Sequence, residues 1–157
     1  MQVKPTRILW PTDFSELSLH AGRYARAMAD QFGAELHIVH VVPPPLSPDV
    51  AVMVPADAPM TMTEPKLLDA SRAAIKELII KHFDGDPKIV THAYYGNPWP
   101  TICEYAKEKG IDLIVVSTHG RTGISHVLIG STAERIVQHA PCAVLTVKRS
   151  GRGFLNE

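Results

Sequence analysis

Short β-branched segments alternate along this chain with longer segments whose apolar residues recur every three or four positions. The short segments are residues 7–12, 35–42, 88–94, 112–117 and 143–147. Such alternation is typical of parallel strands joined by crossover helices. The fourth segment is almost continuously apolar, as expected for a central strand covered on both faces. The sequence therefore predicts an α/β fold, an open, twisted, five-stranded parallel sheet in three layers with helices on both faces.

The helical segments between these strands carry start and stop signals. They are residues 15–32, 64–83, 98–109 and 130–139. Gly33 and Gly110 follow the first and third segments, where a helix commonly ends. Asn97 is the predicted N-cap of the third, because Pro98 suits the first helical position. The first helix is expected to bury the stripe Leu17, Ala21, Tyr24, Ala25, Met28 and Phe32.

Length and charge limit the classes of protein. The chain has 157 residues, which predicts a single domain over residues 1–150 and a flexible tail over 151–157. Sixteen basic and 16 acidic side chains give a net charge of zero, which argues against general binding to nucleic acid or to a membrane surface. No apolar run is long enough for a signal peptide or a membrane span. Cys103 and Cys142 are interpreted as buried thiols, and a cytoplasmic location is expected.

A proline-rich segment interrupts the alternation between the second strand and the second helix. Seven of the 13 prolines fall within residues 43–65, which therefore form a loop. The loop is unusually apolar, with Val50 to Val54 at its centre. Loops of this length are usually functional or disordered. A cover over a ligand, a partner-contact surface and plain disorder are all compatible with the sequence.

Two unusual segments follow the first and fourth strands, residues 11–15 and 117–121. In open parallel sheets, ligands bind beyond the carboxyl ends of the strands where the topology changes direction. The helix start at residues 130–132 adds unpaired N–H donors and the positive end of a helix dipole, a combination that binds phosphate. Alternatively, Gly120 and Gly123 only form a tight turn and Ser131 only caps its helix, in a capping box with Glu134. Walker-type and G-x-G-x-x-G nucleotide motifs are absent.

The residues at this point resemble the universal stress protein family. That family is marked by G-x2-G-x9-G-[ST], and Ser117 to Gly120, nine further residues and Gly130-Ser131 occupy the motif. Residues 8–15 resemble the family's opening strand and turn, and residues 96–116 its third helix and fourth strand. The departure is Ser117, which stands in place of the first motif glycine. The resemblance implies a Rossmann-like fold with strand order 3-2-1-4-5 and, in the nucleotide-binding branch, ATP in the crevice.

The resemblance also implies a set of nucleotide-binding residues. Asp13 would contact the nucleoside, although it is also a candidate N-cap, and Val41 would offer its backbone and an apolar wall to the base. Arg121 would lie near the phosphates. The full set is Pro11, Thr12, Asp13, Val41, Ser117, His119, Gly120, Arg121, Gly130, Ser131 and Thr132.

No catalytic residue and no protein-only metal site is predicted, although ATP would bring Mg²⁺. His37 and His40 form H-x-x-H, but residues three apart on a strand point to opposite faces. The implied function is a stress-response sensor or switch that binds ATP and acts through conformation or a partner. A weak ATP hydrolase, and a stress protein without nucleotide that acts through dimerisation and protein contacts, remain alternatives.

The fifth strand suggests a partner. Residues 143–147 carry no charge, and the family's strand order places them at a sheet edge. An exposed edge offers unpaired N–H and C=O groups, which a second copy of the same strand would satisfy. The sequence predicts a homodimer through this strand, unless the tail or a helix covers it.

Overall fold

The computed structural model describes residues 4–44, 63–119, 129–149 and 153–155. Its strands are β1 (Arg7–Pro11), β2 (Glu35–Val42), β3 (Val90–Tyr95), β4 (Leu113–Ser117) and β5 (Ala143–Val147). Its helices are α1 (Glu16–Phe32), α2 (Glu64–His82), α3 (Pro98–Lys109) and α4 (Ser131–His139). Most of the predicted proline-rich loop, residues 45–62, lies outside the described residues.

The strands form one parallel sheet in the order β3-β2-β1-β4-β5. The predicted fold class and strand order are therefore confirmed. β1 is central, and the chain moves from it to β2 and β3 on one side, then crosses to β4 and β5 on the other. Both β3 and β5 are edge strands of this sheet.

Side chains alternate between the two faces of the sheet and form two separate cores. On one face, Ile8 and Trp10 of β1 pack in a cluster that also contains residues of α1 and α2. On the other face, Leu9 packs in a cluster with residues of α3 and α4. All three of these side chains are fully buried. The helices thus cover both faces, which makes the three layers.

The helix ends follow the predicted signals. Gly33 and Gly110 cap α1 and α3 in the left-handed conformation, with φ of 63° and 60°. Only glycine adopts this conformation without steric cost, and it lets the cap N–H groups reach the last helical carbonyls. Asn97 is the N-cap of α3 and Pro98 its first residue, as predicted, although the Asn97 side chain makes no capping hydrogen bond.

The third strand begins two residues later than predicted. Lys88 donates its N–H to Asp86 Oδ1 at 2.9 Å, so it belongs to the turn before β3 rather than to the strand. The carboxylate also accepts from Arg26 at 2.8 Å, and these contacts lower the pKa of Asp86. A β-branched pattern does not reveal such a turn, because the bonds that form it come from a distant arginine as well as from the neighbouring sequence.

Cys142 and Leu155 of the chain end pack at the margins of the two cores. Cys103 and Cys142 are free thiols and half-buried rather than fully buried, and burial raises the pKa of Cys142 to about 11. At the chain end, the Phe154 ring meets Tyr24 of α1 edge-on, with centroids 4.8 Å apart. In the described part of the chain, the helices are too short or too polar to cross a membrane.

Candidate functional site

The sheet is open at the carboxyl ends of β1 and β4. β1 pairs with β2 along its whole length, from Arg7 to Pro11. With β4 it pairs only at Ile8 and Leu9. The C-terminal halves of the two neighbouring strands therefore extend beyond their common ladder. This is also where the crossovers leave in opposite directions, the position at which α/β sheets bind ligands.

Thr12 anchors the turn that follows β1. Only 5% of the residue is exposed. Its N–H donates to the Val39 carbonyl at 2.9 Å, and its carbonyl accepts from His40 Nδ1 at 2.7 Å. Its hydroxyl oxygen accepts from the Phe14 N–H and from the Ser18 hydroxyl, both at 3.1 Å. Each polar atom of Thr12 thus has a partner within the protein, so the residue fixes the turn in place.

The helix cap after this turn is Ser15, and the interpretation of Asp13 as the N-cap is wrong. Ser15 Oγ accepts from the Ser18 N–H at 3.1 Å. Asp13 Oδ1 accepts from both the N–H and the hydroxyl of Ser15, at 3.0 and 2.6 Å. The Asp13 carboxylate therefore holds the capping residue from two positions earlier in the chain. Its contact with a nucleoside stays a prediction.

Phe14 has an unusual backbone conformation. Its φ of 64° lies in the left-handed region, which costs a non-glycine residue roughly 1–2 kcal/mol. The ring lies against the imidazole of His40, with centroids 4.4 Å apart. Packing against His40, together with the bond from the Phe14 N–H to Thr12, offsets this cost. Strain of this kind concentrates at functional sites, because only a firmly held environment maintains it.

Val41 presents its main chain to the same opening. The Val42 carbonyl accepts from the Gly96 N–H on the β3 side, whereas the Val39 carbonyl accepts from the Thr12 N–H on the β1 side. Carbonyl directions alternate along a strand, so the Val41 carbonyl and N–H point towards the β1 side. β1 has already ended at this level. The Val41 side chain is buried among residues of the α3 and α4 face.

The end of β4 forms a hydrogen-bonded turn. Ser117 donates its hydroxyl to the His119 carbonyl at 2.6 Å, and its backbone lies outside the left-handed region. Serine in place of the family's glycine therefore introduces no strain here, and its side chain closes the turn. Thr118 Oγ1 lies 3.1 Å from His119 Nδ1. Gly120 and Arg121 lie outside the described residues.

The start of α4 is tied directly to this turn. The Gly130 N–H donates to the Thr118 carbonyl at 2.5 Å, and the Gly130 carbonyl accepts from the Glu134 N–H at 2.9 Å. Gly130 is the N-cap, so the predicted capping box that begins at Ser131 is wrong. No side chain of the described residues caps this helix. Its first-turn N–H groups and the exposed Ser131 and Thr132 therefore lie near the carboxyl end of β4.

Gly130 does not need glycine's conformational freedom. Its φ of −70° and ψ of 152° suit any residue. What glycine offers here is only the absence of a side chain beside the helix N-terminus. A larger residue at this position would act through its volume alone.

The two histidines of β2 lie on opposite faces, as predicted. His37 contacts the Tyr105 hydroxyl and Glu35 Oε1, both at 2.7 Å, on the α3 face. His40 contacts the Thr12 turn. Burial lowers the pKa of His37, and the Glu35 carboxylate partly opposes this effect. Within the described ranges, His, Cys, Asp and Glu side chains form no group of three or more that could hold a metal.

Sequence reasoning missed His40 and Thr118 as parts of this region. The sequence pattern presents His40 only as half of an H-x-x-H pair and Thr118 only as a motif position. Both act through hydrogen bonds that involve a backbone carbonyl, which residue types alone do not reveal. The available signal for His40 was its position beside Val41 on the face opposite His37.

The family profile described as the universal stress protein family matches residues 5–148. The chain is 36% identical to universal stress protein MJ0531 of Methanocaldococcus jannaschii, over 91% of the chain and 82% of that protein. It resembles the structure of the universal stress protein UspA from Lactobacillus plantarum, with 30% identity and a TM-score of 0.72 over 93% of this chain and 99% of that one.

It also resembles the crystal structure of a universal stress protein in complex with cAMP, with 24% identity and a TM-score of 0.68 over 94% of this chain and 100% of that one. This last likeness concerns the fold alone. The family profile and the relative from M. jannaschii each cover most of the chain. The chain belongs to the universal stress protein family.

Proposed function

We propose that this protein binds ATP in the opening between β1 and β4 and acts as a nucleotide-dependent switch in the stress response. The observation that supports it is the convergence of three features on one rim of the sheet. These are the strained turn after β1, the main chain of Val41 beyond the end of β1, and the α4 N-terminus tied to Thr118. Polar backbone groups and an anion-binding helix end thus lie around one opening.

The nucleoside would lie on the β1 and β2 side of the opening. The Val41 N–H and carbonyl can pair with the edge of a base, and the Asp13 carboxylate can accept hydrogen bonds from a ribose. Pro11 and Thr12 would hold this side in place. Adenine presents an N6–H donor beside an N7 acceptor on one edge, which a main-chain acceptor and donor pair can bind.

The phosphates would lie on the β4 side. The α4 N-terminus offers backbone N–H donors and the positive end of a helix dipole. The hydroxyls of Ser131 and Thr132 add donors, and Ser117, His119, Gly120 and Arg121 complete the proposed set. Mg²⁺ would arrive with the nucleotide and be bound mainly by its phosphates.

The complex of a related fold with cAMP is a second line of support. It shows that a protein of this fold binds an adenosine phosphate. The rim residues of this chain supply the main support for the proposal. The proposed switch would act in the cytoplasm as a homodimer. The edge strand β5 supports the dimer, because its residues from Ala143 to Thr146 are exposed or half-exposed along the open side of the sheet.

Native mass spectrometry of protein purified without added nucleotide tests the proposal. We expect the mass spectrum to show ATP bound to the protein. We expect calorimetric titration of protein stripped of nucleotide to show tighter binding of ATP than of GTP. Release of ADP over hours would indicate hydrolysis in addition. An empty protein that gives no heat with ATP and Mg²⁺ would contradict the proposal and favour action through protein contacts.

A further inference from the structure

We infer that His40 is a positioning residue of the proposed nucleotide site, because it holds the peptide between Thr12 and Asp13 in the orientation that faces the opening. This inference rests on the proposed function. His40 touches no proposed ligand directly and acts through the turn after β1.

The tautomer of His40 follows from its partner. A carbonyl oxygen only accepts hydrogen bonds, so the 2.7 Å contact between His40 Nδ1 and the Thr12 carbonyl requires a proton on Nδ1. The residue is 7% exposed, so this bond forms away from water. A buried carbonyl that loses its donor is left without either a protein or a water partner, which is costly. The bond therefore restrains the direction of the carbonyl strongly.

The direction of the Thr12 carbonyl decides where the next N–H points. The Thr12 N–H and carbonyl both bond to β2, to the Val39 carbonyl and to His40 respectively. The peptide that follows is planar and trans, so the Asp13 N–H points the opposite way from that carbonyl. At this level of the sheet, the side away from β2 is the side of β4. His40 thereby directs the Asp13 N–H towards the opening.

His40 also supports the strained residue that completes the turn. Its ring packs on Phe14 at 4.4 Å between centroids, and Phe14 has the positive φ. If the imidazole is lost, both the hydrogen bond and the packing that offsets the strain disappear. The turn would then relax to an ordinary backbone conformation and move Asp13 away from its position. Val39 and Ser18 would still hold Thr12, so the fold itself would remain.

A pair of substitutions separates positioning from general stability. His40→Asn keeps an N–H donor close to the position of Nδ1, whereas His40→Leu keeps a similar volume without a donor. We expect His40→Leu to weaken ATP binding at least tenfold in calorimetry and His40→Asn to stay within about threefold of the unmodified protein. His37→Leu is the matched control, a buried histidine on the opposite face of the same strand. It should lower the melting temperature and leave ATP affinity unchanged.

A readout without ligand keeps this inference separate from the proposed function. In ¹H–¹⁵N spectra of the free protein, the His40 Nδ1 should carry the proton, and the Asp13 amide signal should shift in His40→Leu but not in His40→Asn. If His40→Leu does not fold, His40→Gln, which displaces the donor, takes its place. Unchanged affinity and an unmoved Asp13 amide in the variant without the donor would overturn the inference. Absence of ATP binding in the unmodified protein would overturn the proposed function, and the amide signals would then decide the role of His40.

Discussion

Gly22 of α1 lies against the fully buried indole of Trp10, and we predict that Gly22→Ala destabilises the protein. A Cβ at this position would lie 2.6 Å from Cζ2 and 2.7 Å from Cε2 and Cη2 of that ring. Ordinary carbon contacts are about 3.5–4.0 Å, so the helix and the ring would have to separate by about 1 Å. The ring cannot rotate away, because its Nε1 donates to the Ser18 carbonyl at 3.1 Å.

Two effects of opposite sign determine the size of this change. Alanine is a better helix former than glycine by about 1 kcal/mol. Overpacking a rigid core costs roughly 1–3 kcal/mol, and three short contacts to an immobile ring place this site at the upper end. The net expectation is a loss of about 2 kcal/mol in the free energy of unfolding. For a chain of this size, the melting temperature would fall by about 4–8 °C.

Thermal and urea unfolding followed by circular dichroism measure the effect, and Trp10→Phe provides the matched background. All three short contacts involve the six-membered ring of the indole, which phenylalanine does not place there. In the Trp10→Phe protein, Gly22→Ala should therefore become stabilising, by about 1 kcal/mol. A stabilising effect of Gly22→Ala with Trp10 present would refute the close packing of α1 on β1.

Three further predictions concern stability and assembly. Burial lowers the pKa of His37 in the folded protein. The neutral imidazole therefore contributes fully to stability above the unfolded-state pKa of about 6.5, and this contribution is lost as the pH falls below that pKa. His37→Gln should reduce the loss of unfolding free energy between pH 7 and pH 5, and an unchanged loss would contradict this. Asp112 Oδ2 accepts from the N–H and hydroxyl of Thr6 and from the Arg7 N–H, so Asp112→Ala should cost about 1 kcal/mol in urea unfolding at pH 7. The Val147 carbonyl accepts from the Thr118 N–H on the β4 side, so the N–H of Thr146 points to the open edge, and Thr146→Pro should convert a dimer to a folded monomer in light scattering. A monomeric unmodified protein at micromolar concentration would contradict the dimer.

The fold was largely predictable from the sequence, because the residues that start and end its helices act through local backbone preferences. Gly33, Gly110 and the Asn97-Pro98 pair mark helix ends by their own backbone preferences, and the structure places helix ends there. The sheet order came from the family resemblance. The start of β3 was misplaced, since the turn at Lys88 depends on a carboxylate that a residue of α1 helps to fix.

The first and last residues of α1 were predicted well, but the residues on its buried face were not. Leu17, Met28 and Phe32 were expected to be buried and are only half-buried. Small residues face the sheet instead, including Gly22 and Ala29. Periodicity favours large apolar residues, whereas close packing of a helix on a bulky ring such as Trp10 requires small ones.

The location of the candidate site was predictable from the sequence, but the hydrogen bonds within it were not. The rule on strand ends and topology indicated the rim between the first and fourth strands. Ser15 rather than Asp13 is the N-cap because Phe14, between them, has a left-handed backbone. The helix therefore begins only after Ser15. Asp13 and Ser15 are both favourable N-cap residue types, so only the geometry of the turn distinguishes them.

Calorimetric titration of Gly130→Val with ATP and Mg²⁺ tests the central claim most directly. Valine fits the backbone at this N-cap and adds volume beside the proposed phosphates. Asn97→Val is the matched control, because Asn97 is also an N-cap with extended dihedrals and no side-chain capping bond, on the helix that follows the edge strand β3. Gly130→Val should weaken ATP binding at least tenfold, about 1.4 kcal/mol, while Asn97→Val should bind as the unmodified protein does. Equal affinity in all three proteins would contradict a phosphate site at the start of α4.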